Sequence, residues 1–422
     1  MSDPAPLNLG ERRWLLFYAG FLLLIVNFAA PNGGLISIPV NFFLKNRLHL
    51  SAEQVATFNI WAGAPLYISF LFGFLRDRWS PFGAGDRGHF AIFGAVTGLI
   101  YGVIAFVPPT YGLILVGVVV ATAAIQTAIG AAGALFTGLG QDHAIAGQAS
   151  TTLNMATNLP LVIGFLLGGQ LSDLMEGRNA VTAARILFLV GGALMAMVAV
   201  FGFFGPARLY EGRREPLIAT PLADLKRLAR TRAIYPPVII MFLWCFAPAG
   251  GVVLQYHMAN ALHATDGQVG AFYAIFWASY FPTFLLYAWL CQRIRLGPLL
   301  WLATAVAIPQ WAPILLAHTP NQALLMAFPI GLLGGLGNVA YIDLAIRSCP
   351  RGLQGTMIML VLTTTFAVAV RFGDLWGTTL YEHAGGFTTA VIATVLVYAL
   401  IVPVLFFIPK RLTATKDGEV FT

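Results

Sequence analysis

Hydrophobic residues in this chain form long runs separated by short stretches of charged and turn-forming residues. Most runs match or exceed the roughly 20 residues that a helix needs to cross the hydrocarbon core of a bilayer. Several approach 30 residues, as tilted or bent helices do. The pattern predicts an all-α membrane protein with twelve spans, at 14–43, 52–75, 89–107, 111–137, 148–176, 181–206, 234–262, 266–290, 297–318, 321–347, 352–383 and 386–408.

Composition supports this interpretation and excludes most enzyme classes. The chain is 58% hydrophobic and 10% charged, whereas soluble proteins carry about 25% charged residues. So few charges cannot cover a water-facing surface, and the spans leave no room for a large soluble domain. The 7 histidines and 17 acidic residues lie mostly in short loops, and the three cysteines are far apart, as inert thiols are. We therefore expect no enzyme, no metal site, no cofactor and no nucleic-acid partner.

Positive charge is unevenly distributed between the two sides of the predicted bundle. If the N-terminus is inside, 19 of the 24 Lys and Arg residues fall on the same side. Short loops rich in Lys and Arg face the cytoplasm. We therefore expect a multi-pass protein of a bacterial inner membrane, with both termini, the 207–233 connector and the 410–422 tail in the cytoplasm.

The chain contains an internal repeat. APNGGL at 30–35 matches APAGGV at 247–252 with an offset of 217, and SAEQVATF at 51–58 matches TDGQVGAF at 265–272 with an offset of 214. Each octet begins with a Ser or Thr and has Gln at the fourth position, as a capping box does. The repeat predicts two pseudo-symmetric six-helix halves, 1–206 and 234–409, related by an axis along the membrane normal.

The repeated Pro-x-Gly-Gly element predicts a bend in the first and seventh spans. Proline removes a helix hydrogen bond, and paired glycines lower the cost of bending. Gly33, Gly34, Gly250 and Gly251 are therefore candidate gating residues. Close helix packing against small residues is the alternative, and both roles can hold together.

Four blocks resemble the folate-biopterin transporter family of the major facilitator superfamily. They are GGLISIPVNFFLKNRLHLSAEQ at 33–54, GAPLYISFLFGFLRDRWSPFG at 63–83, FLWCFAPAGG at 242–251 and SCPRGLQGT at 348–356. The resemblance implies the major facilitator fold and a transporter of folates or pterins. It also implies that the first, fourth, seventh and tenth spans line a central cavity.

The second span ends in a charged motif, Gly73-Phe74-Leu75-Arg76-Asp77-Arg78. Resemblance to the superfamily implies that Asp77 pairs across helix ends and holds one conformation closed, with Arg78 and Arg87 beside it. A solvated charge cluster is the alternative. The equivalent place in the second half, Cys291-Gln292-Arg293, lacks an acid, so we expect an asymmetric lock.

Two charges lie three residues apart within the eleventh span, Arg371 and Asp374. Charges inside a membrane are costly and indicate function, and this spacing places both on one helix face. An offset of 208 aligns this span with the fifth through Gly169 and Gly377 and sets apolar Ile163 and Leu166 opposite the two charges. We expect Arg371 to bind a substrate carboxylate, with a structural ion pair as the alternative.

The remaining candidates for substrate binding are polar and aromatic residues of the spans that would line the cavity or gate it. They are Asn27, Asn32, Gln126, Trp244, Gln255, Tyr256, Asn338 and Tyr341, with Trp61, Trp277 and Tyr280. Amides and stacking surfaces together suit a planar heteroaromatic ligand, whereas packing or interface anchoring is the alternative for each ring. Asp343 precedes Arg347 by four residues, the spacing of a common helix-surface ion pair. A role in proton coupling is the alternative for Asp343, and Asp374 is a further candidate for that role.

These features lead to one functional hypothesis and two alternatives. We expect a monomeric secondary active transporter that moves a small planar organic anion, folate- or pterin-like, by alternating access. Proton symport is the first candidate for its driving force, and exchange without protons is the alternative. No phosphate-binding loop of the Walker type occurs in the sequence. The alternatives are a transporter of another small organic molecule, and a non-transporting assembly factor, because proteins resembling this family deliver pigments to light-harvesting complexes.

Overall fold

The protein is an all-helical bundle with the predicted two six-helix halves. The computed structural model describes residues 7–176, 180–211 and 221–419, and every regular element in those ranges is helical. Nine helical segments in the described part of the chain are long and apolar enough to cross a membrane: Asp86–Phe106, Tyr111–Asp142, Ala146–Leu167, Ala180–Phe203, Asp266–Leu290, Leu296–Leu316, Pro320–Ser348, Gln354–His383 and Gly386–Leu405. The first, second and seventh spans are divided into shorter helices.

The first and seventh spans are broken where the Pro-x-Gly-Gly element predicts a bend. Leu9–Phe28 is followed by a non-helical stretch at 29–36 and then by Ser37–Phe42. Tyr235–Cys245 is followed by a non-helical stretch at 246–250 and then by Gly251–Tyr256. Both second pieces continue into a wider, π-helical turn, at Phe43–Arg47 and His257–Ala261. The predicted bends are confirmed, and each span is interrupted rather than merely curved.

The repeat is visible in local backbone geometry as well as in sequence. Ser51 and Thr265 each cap the helix that follows, and Gln54 and Gln268 complete the two capping boxes. His49 and His263, which share the same offset, both adopt a positive φ, 50° and 56°. A non-glycine residue rarely does so. The two halves therefore enter their second and eighth spans by the same turn.

Several other spans are also composed of consecutive helices. The second consists of Ala52–Ala62, Ala64–Tyr67 and Ser69–Arg78, and the eighth of Asp266–Ala278 and Tyr280–Leu290. The ninth joins Leu296–Ala307 to a 3₁₀ turn at Ala312–Leu316. The eleventh joins Gln354–Met359 through a π-helical turn to Thr365–His383, and the twelfth is Gly386–Ala399 with Ile401–Leu405.

The connector and the tail contain short helices. The connector has a turn at Ala207–Leu209, a helix at Pro221–Arg230 and a turn at Arg232–Ile234. The tail begins with Lys410–Thr413. Residues 212–220, with Arg213 and Arg214, and residues 177–179, with Arg178, lie outside the described residues.

Twelve spans return the chain to the side on which it began. Residues near Leu9 and near Lys410 therefore lie at one end of the bundle, which we call the terminal end, and the opposite end is the distal end. At the terminal end the second span packs against the eleventh. A Cβ atom added at Gly73 would be 2.2 Å from the carbonyl oxygen of Gly355. Only glycine permits this approach, which brings the two halves into contact.

Candidate functional site

A cavity of about 610 Å³ lies between the two halves, within the usual range of small-molecule sites. It is bounded by the broken part of the first span and by parts of the second, fourth, fifth and eleventh spans. Its exposed members Asn41, Asn59 and Arg371 belong to the distal parts of their spans. Buried Ile358 and Met359 form its floor towards the terminal end. The cavity therefore opens away from the terminal end.

Two helix faces with regular spacing supply much of the lining. Asn59, Gly63 and Tyr67 follow one another at four-residue intervals in the second span, and Thr363, Ala367 and Arg371 do so in the eleventh. Residues four apart lie on one side of a helix. The polar lining side chains as a group are Asn27, Asn32, Ser37, Asn41, Asn59, Tyr67, Gln126, Thr157, Thr363 and Arg371.

Arg371 is the only lining residue with a formal charge within the described part of the chain. Its Nε donates a hydrogen bond to the hydroxyl oxygen of Tyr67, 3.1 Å away, across the two halves. Its two terminal nitrogens make no hydrogen bond with any described residue. The N–H groups suited to a two-pronged grip on a carboxylate are thus exposed in the cavity.

Asp374 does not pair with Arg371 as the alternative interpretation of the sequence proposed. No ion pair joins the two among the described residues. The Oδ1 of Asp374 instead accepts a hydrogen bond from the Val252 N–H, 3.3 Å away. Val252 lies in the first turn of the helix that restarts after the break in the seventh span. Asp374 therefore stabilises that break, because a carboxylate satisfies N–H groups that have no helical partner.

Three of the predicted amides lie in the cavity wall. Asn27 donates to the carbonyl oxygen of Leu23, 2.9 Å away, and Asn32 donates to the Thr122 hydroxyl at 3.3 Å. The Oε1 of Gln126 is buried and has no hydrogen-bond partner among the described residues. A buried acceptor without a partner is unfavourable, so this oxygen can receive a ligand donor.

The predicted aromatic residues are not among the lining residues of this cavity. Trp244, Tyr280 and Tyr341 are buried in the second half. The Tyr341 hydroxyl contacts the Thr304 hydroxyl at 3.0 Å, and Tyr280 accepts from Gln310 at 3.3 Å. Their rings fill the core, so their part in binding stays a prediction that this arrangement does not support.

The other predicted members also lie away from the lining. Asn338 donates to Asn154 Oδ1 at 2.6 Å and so ties the tenth span to the fifth. Tyr256 and Trp61 are exposed, at 56% and 60%. Gln255 and Trp277 are not lining residues either. The rings that do line the cavity are Phe58, Tyr67 and Phe366, and the sequence analysis selected none of them. Tyr67 could have been found, because it follows Asn59 and Gly63 at the same four-residue spacing that leads from Thr363 to Arg371.

Asp77 joins the two halves at the terminal end of the bundle. Its Oδ1 accepts from the Gly355 N–H at 2.9 Å, and its Oδ2 accepts from the N–H and the hydroxyl of Thr356, both at 2.7 Å. These groups belong to the first turn of the eleventh span. Arg76 contacts the same carboxylate at 2.8 Å. We call the contacts of Asp77 with Gly355 and Thr356 the first lock.

The two arginines predicted beside this lock contact other elements of the same end. Arg78 pairs with Asp224 of the connector helix. Arg87 donates to the carbonyl oxygen of Gly205 at 3.1 Å and lies over the Tyr210 ring at 4.8 Å. Their gating role stays a prediction, and the structure adds Arg76, which the sequence analysis did not select.

Asp343 is buried at the terminal end and does not line the cavity. It accepts from the Tyr287 hydroxyl at 2.6 Å and from Arg347 Nε at 2.7 Å. The predicted four-residue pair is present, but it is buried and does not lie on the helix surface. Proton coupling through Asp343 stays a prediction.

The second half lacks an acid at Cys291, as predicted, but a carboxylate from outside the repeat reaches this place. Oδ2 of Asp417 lies 3.5 Å from the Cys291 Sγ. The Asp417 carboxylate accepts from the N–H groups of Gly147 and Gln148, at 3.1 and 3.0 Å. Both halves therefore have a carboxylate at this place. The asymmetry is that Asp77 belongs to the repeated part of the sequence, whereas Asp417 comes from the tail.

Comparisons with known proteins identify the family and the fold. Residues 23–373 match the family model described as Major Facilitator Superfamily. No curated protein matches the chain. Solved structures with a similar fold include a Major Facilitator Superfamily transporter, FucP, in the outward conformation, with 17% identity, 93% of this chain and 98% of that chain covered and a TM-score of 0.69.

Two further structures extend the comparison. The human organic anion transporter MFSD10 (TETRAN) has 13% identity, covers 94% of this chain and 100% of its own and gives a TM-score of 0.61. The proton:xylose symporter XylE, bound to 6-bromo-6-deoxy-D-glucose, has 12% identity, covers 98% and 99% and gives a TM-score of 0.67. At these identities the similarity is one of fold.

Proposed function

The chain belongs to the Major Facilitator Superfamily, and on this premise we propose that it is a secondary active transporter of a small organic anion. It is a multi-pass membrane transporter and not an enzyme. The proposal adds the sign of the substrate charge and the residue that binds it. Arg371 in the cavity wall is the observation that carries it.

The cavity offers one cation and many hydrogen-bonding groups. A carboxylate would receive two parallel hydrogen bonds from the terminal nitrogens of Arg371. Tyr67 accepts from the Nε of Arg371 and so orients the guanidinium towards the cavity. The amides of Asn27, Asn32 and Gln126 would bind the polar edge of the same ligand.

A folate- or pterin-like anion is our first candidate within this class. A planar heteroaromatic ring needs flat apolar surfaces and amide partners at its edge. Phe58, Tyr67 and Phe366 provide rings in the cavity wall. One solved structure of the same fold is titled an organic anion transporter, which is consistent with a negative substrate but does not identify it.

A neutral sugar is the second candidate. The amides that line the cavity suit a ligand with many hydroxyl groups. Two of the solved structures with this fold are, by their titles, a fucose transporter and a xylose symporter. The two candidates differ in what they need from Arg371, because only an anion gains a charge-assisted contact there.

The arrangement corresponds to one state of an alternating-access cycle. If the terminal end faces the cytoplasm, as the distribution of Lys and Arg predicts, the cavity is open to the outside and closed to the inside. A non-transporting assembly factor has no need for a charged cavity with one closed end. Asp374, which stabilises the break in the seventh span, remains our candidate for proton coupling.

Uptake into proteoliposomes tests the proposal. The purified protein would be offered labelled pterins, folates, aromatic and aliphatic carboxylic acids and neutral sugars, each with and without an imposed proton gradient. We expect saturable uptake of at least one carboxylate. Arg371→Gln, which keeps a polar side chain that can donate hydrogen bonds but is shorter and carries no charge, should abolish it.

Two results would contradict the proposal. One is uptake of neutral sugars that Arg371→Gln leaves unchanged, which would favour the second candidate. The other is carboxylate uptake that is equally fast in the parent and in Arg371→Gln, which would place the anion site elsewhere. Arg47→Gln is a matched control, because Arg47 is exposed at the distal end and is not a lining residue of the cavity.

A further inference from the structure

The tail after Thr413 is inserted between the two halves at the terminal end. The carbonyl oxygen of Thr415 accepts from Leu296 N–H at 3.3 Å, and the Asp417 N–H donates to the carbonyl oxygen of Cys291 at 2.9 Å. Both of these partners belong to the second half. The Gly418 N–H donates to the carbonyl oxygen of Ala144 in the first half, 2.8 Å away. The tail therefore contacts both halves through its backbone.

The Asp417 side chain joins the halves a second time. It is buried, and its carboxylate accepts from Gly147 and Gln148 in the first turns of the fifth span. Arg347 of the second half donates to the same carboxylate at 3.1 Å. One residue thus connects a helix start in one half to a guanidinium in the other.

This geometry repeats the first lock. Gly147 and Gln148 precede Gly355 and Thr356 by 208 positions, the offset that aligns the fifth span with the eleventh. In both places a carboxylate accepts from two consecutive N–H groups at the start of the span. A carboxylate satisfies these N–H groups and interacts favourably with the positive end of the helix.

The acid itself comes from a different part of the sequence. The repeat equivalent of Asp77, at an offset of 214, is Cys291. Its thiol supplies no carboxylate, and Asp417 occupies the space beside it. A Cβ atom added at Gly147 would be 2.6 Å from the Cys291 Cβ, so the start of the fifth span also packs closely against the end of the eighth.

We propose that Asp417 forms a second lock, in which the tail holds the terminal end closed and must leave before that end can open. The proposal rests on the alternating-access function proposed above. The first lock then joins the second and eleventh spans, and the second lock joins the fifth span to the end of the eighth and to the tenth. Opening the terminal end requires both carboxylates to release their helix starts.

Two native cysteines report the two events separately. Cys291 is buried beside Asp417, so its reaction with N-ethylmaleimide measures release of the tail. Cys349 is buried at the end of the tenth span, where its carbonyl oxygen accepts from Gln141 of the first half at 2.7 Å. Its reaction measures separation of the halves. Mass spectrometry of peptides from the protein in nanodiscs resolves the two rates without any substrate.

Asp417→Asn keeps the size but replaces one of the two acceptor oxygens with an NH2 group, which cannot accept from the N–H groups of Gly147 or Gln148. We expect both Cys291 and Cys349 to react at least about tenfold faster than in the parent. Glu419→Gln removes a charge from the same tail at a side chain about half exposed, which contacts Lys416 alone among the described residues, and should leave both rates unchanged. Faster reaction of Cys291 alone would overturn the proposal, because the tail would then be a local cover. Unchanged rates at both cysteines would also overturn it.

A second variant covers the case in which Asp417→Asn does not fold. Gln148→Cys with Asp417→Cys, combined with Cys291→Ser so that only one disulfide can form there, places two thiols where the Gln148 side-chain N–H now meets the carboxylate, 3.4 Å away. With this disulfide formed, Cys349 should react at the slow parental rate, and reduction should accelerate it at least about tenfold in the same molecules. Equal rates before and after reduction would overturn the lock. Absence of uptake by the parent would instead refute the transport proposal and leave these rates as evidence about closure.

Discussion

At the scale of the residue, the proposed function rests on Arg371. Its guanidinium presents two parallel N–H groups, whereas an ammonium is a point charge. Arg371→Lys should therefore keep the charge and lose affinity for an anionic substrate by about tenfold or more, equivalent to about 1.4 kcal/mol. Binding of the carboxylate found by uptake, measured by isothermal titration calorimetry, checks this. Equal affinity of parent and variant would contradict it.

Tyr67→Phe gives a graded companion to that substitution. It removes the hydroxyl that orients Arg371 and leaves the aromatic ring in the wall. The terminal nitrogens of Arg371, which would hold the carboxylate, are unchanged by it. The loss of affinity should accordingly be smaller than for Arg371→Lys. A larger loss would mean that Tyr67 itself contacts the substrate.

Asp417 should make docking of the tail depend on pH. Burial raises the pKa of its carboxyl group to about 6, and the nearby charge of Asp343 adds to this, while Arg347 and the N–H groups of Gly147 and Gln148 lower it. A released tail would have the ordinary pKa of 3.8. Because the docked form binds a proton that the released form does not, docking should strengthen as pH falls from about 6 towards 4 and be constant above about 7.

A nitroxide at Glu419→Cys measures this docking through its mobility. We expect a larger immobilised fraction at pH 5 than at pH 7.5, and no such difference once Asp417→Asn is added. The other titratable or charged groups near the site are Asp343, Cys291, Tyr287, Lys416 and Arg347. A docked fraction that falls on acidification would contradict the assignment of the titration to Asp417.

At the scale of the element, the two interrupted spans depend on glycine. Gly251 has a φ of +46°, and a Cβ atom there would be 2.3 Å from the Asp374 Oδ1. A Cβ atom at Gly34 would be 2.5 Å from the carbonyl oxygen of Ala30. The backbone at both breaks therefore requires glycine. Gly251 also packs closely against Asp374, so the packing role that the sequence left open applies to it as well.

Gly34→Ala and Gly251→Ala should each slow transport at least about tenfold while the protein still reaches the membrane. Uptake rates normalised to the amount of folded protein measure this. Gly102→Ala is the matched control, since a Cβ atom there meets open space. If Gly34→Ala and Gly251→Ala both take up substrate as fast as the parent, the breaks in the two spans have no role in the transport cycle.

Much of the architecture could be predicted at this scale, because length and hydrophobicity decide which segments cross a membrane. The repeat also located both breaks, because the proline of each Pro-x-Gly-Gly element removes a helix hydrogen bond and its glycines lower the cost of bending. The cavity wall was harder, because Trp244 and Tyr341 have the chemistry of ligand contacts but are buried in the core. Asp417 could not be found by aligning the halves, since a tail outside the repeat reaches its place only through the tertiary fold.

At the scale of the whole molecule, the orientation in the membrane can be tested apart from any substrate. Asn46 and Glu211 are exposed at opposite ends of the bundle. Asn46→Cys should react with an impermeant maleimide in intact cells, and Glu211→Cys should react only after the membrane is opened. Reaction of both cysteines from the same side of the membrane would contradict the twelve-span topology. Reaction of Glu211→Cys from outside and of Asn46→Cys from inside would mean that the cavity opens to the cytoplasm.

The central claim is that an organic anion moves because the two ends open in alternation. Paired spin labels measure this, one pair at the distal end (Asn46 and Asn260) and one at the terminal end (Phe82 and Gln292), all four at exposed positions. Adding the carboxylate identified by uptake should shorten the distal distance and lengthen the terminal distance, each in the same fraction of the molecules. Arg371→Ala should abolish this response. Substrate that binds while both sets of distances stay unchanged, or move in the same direction, would contradict the account.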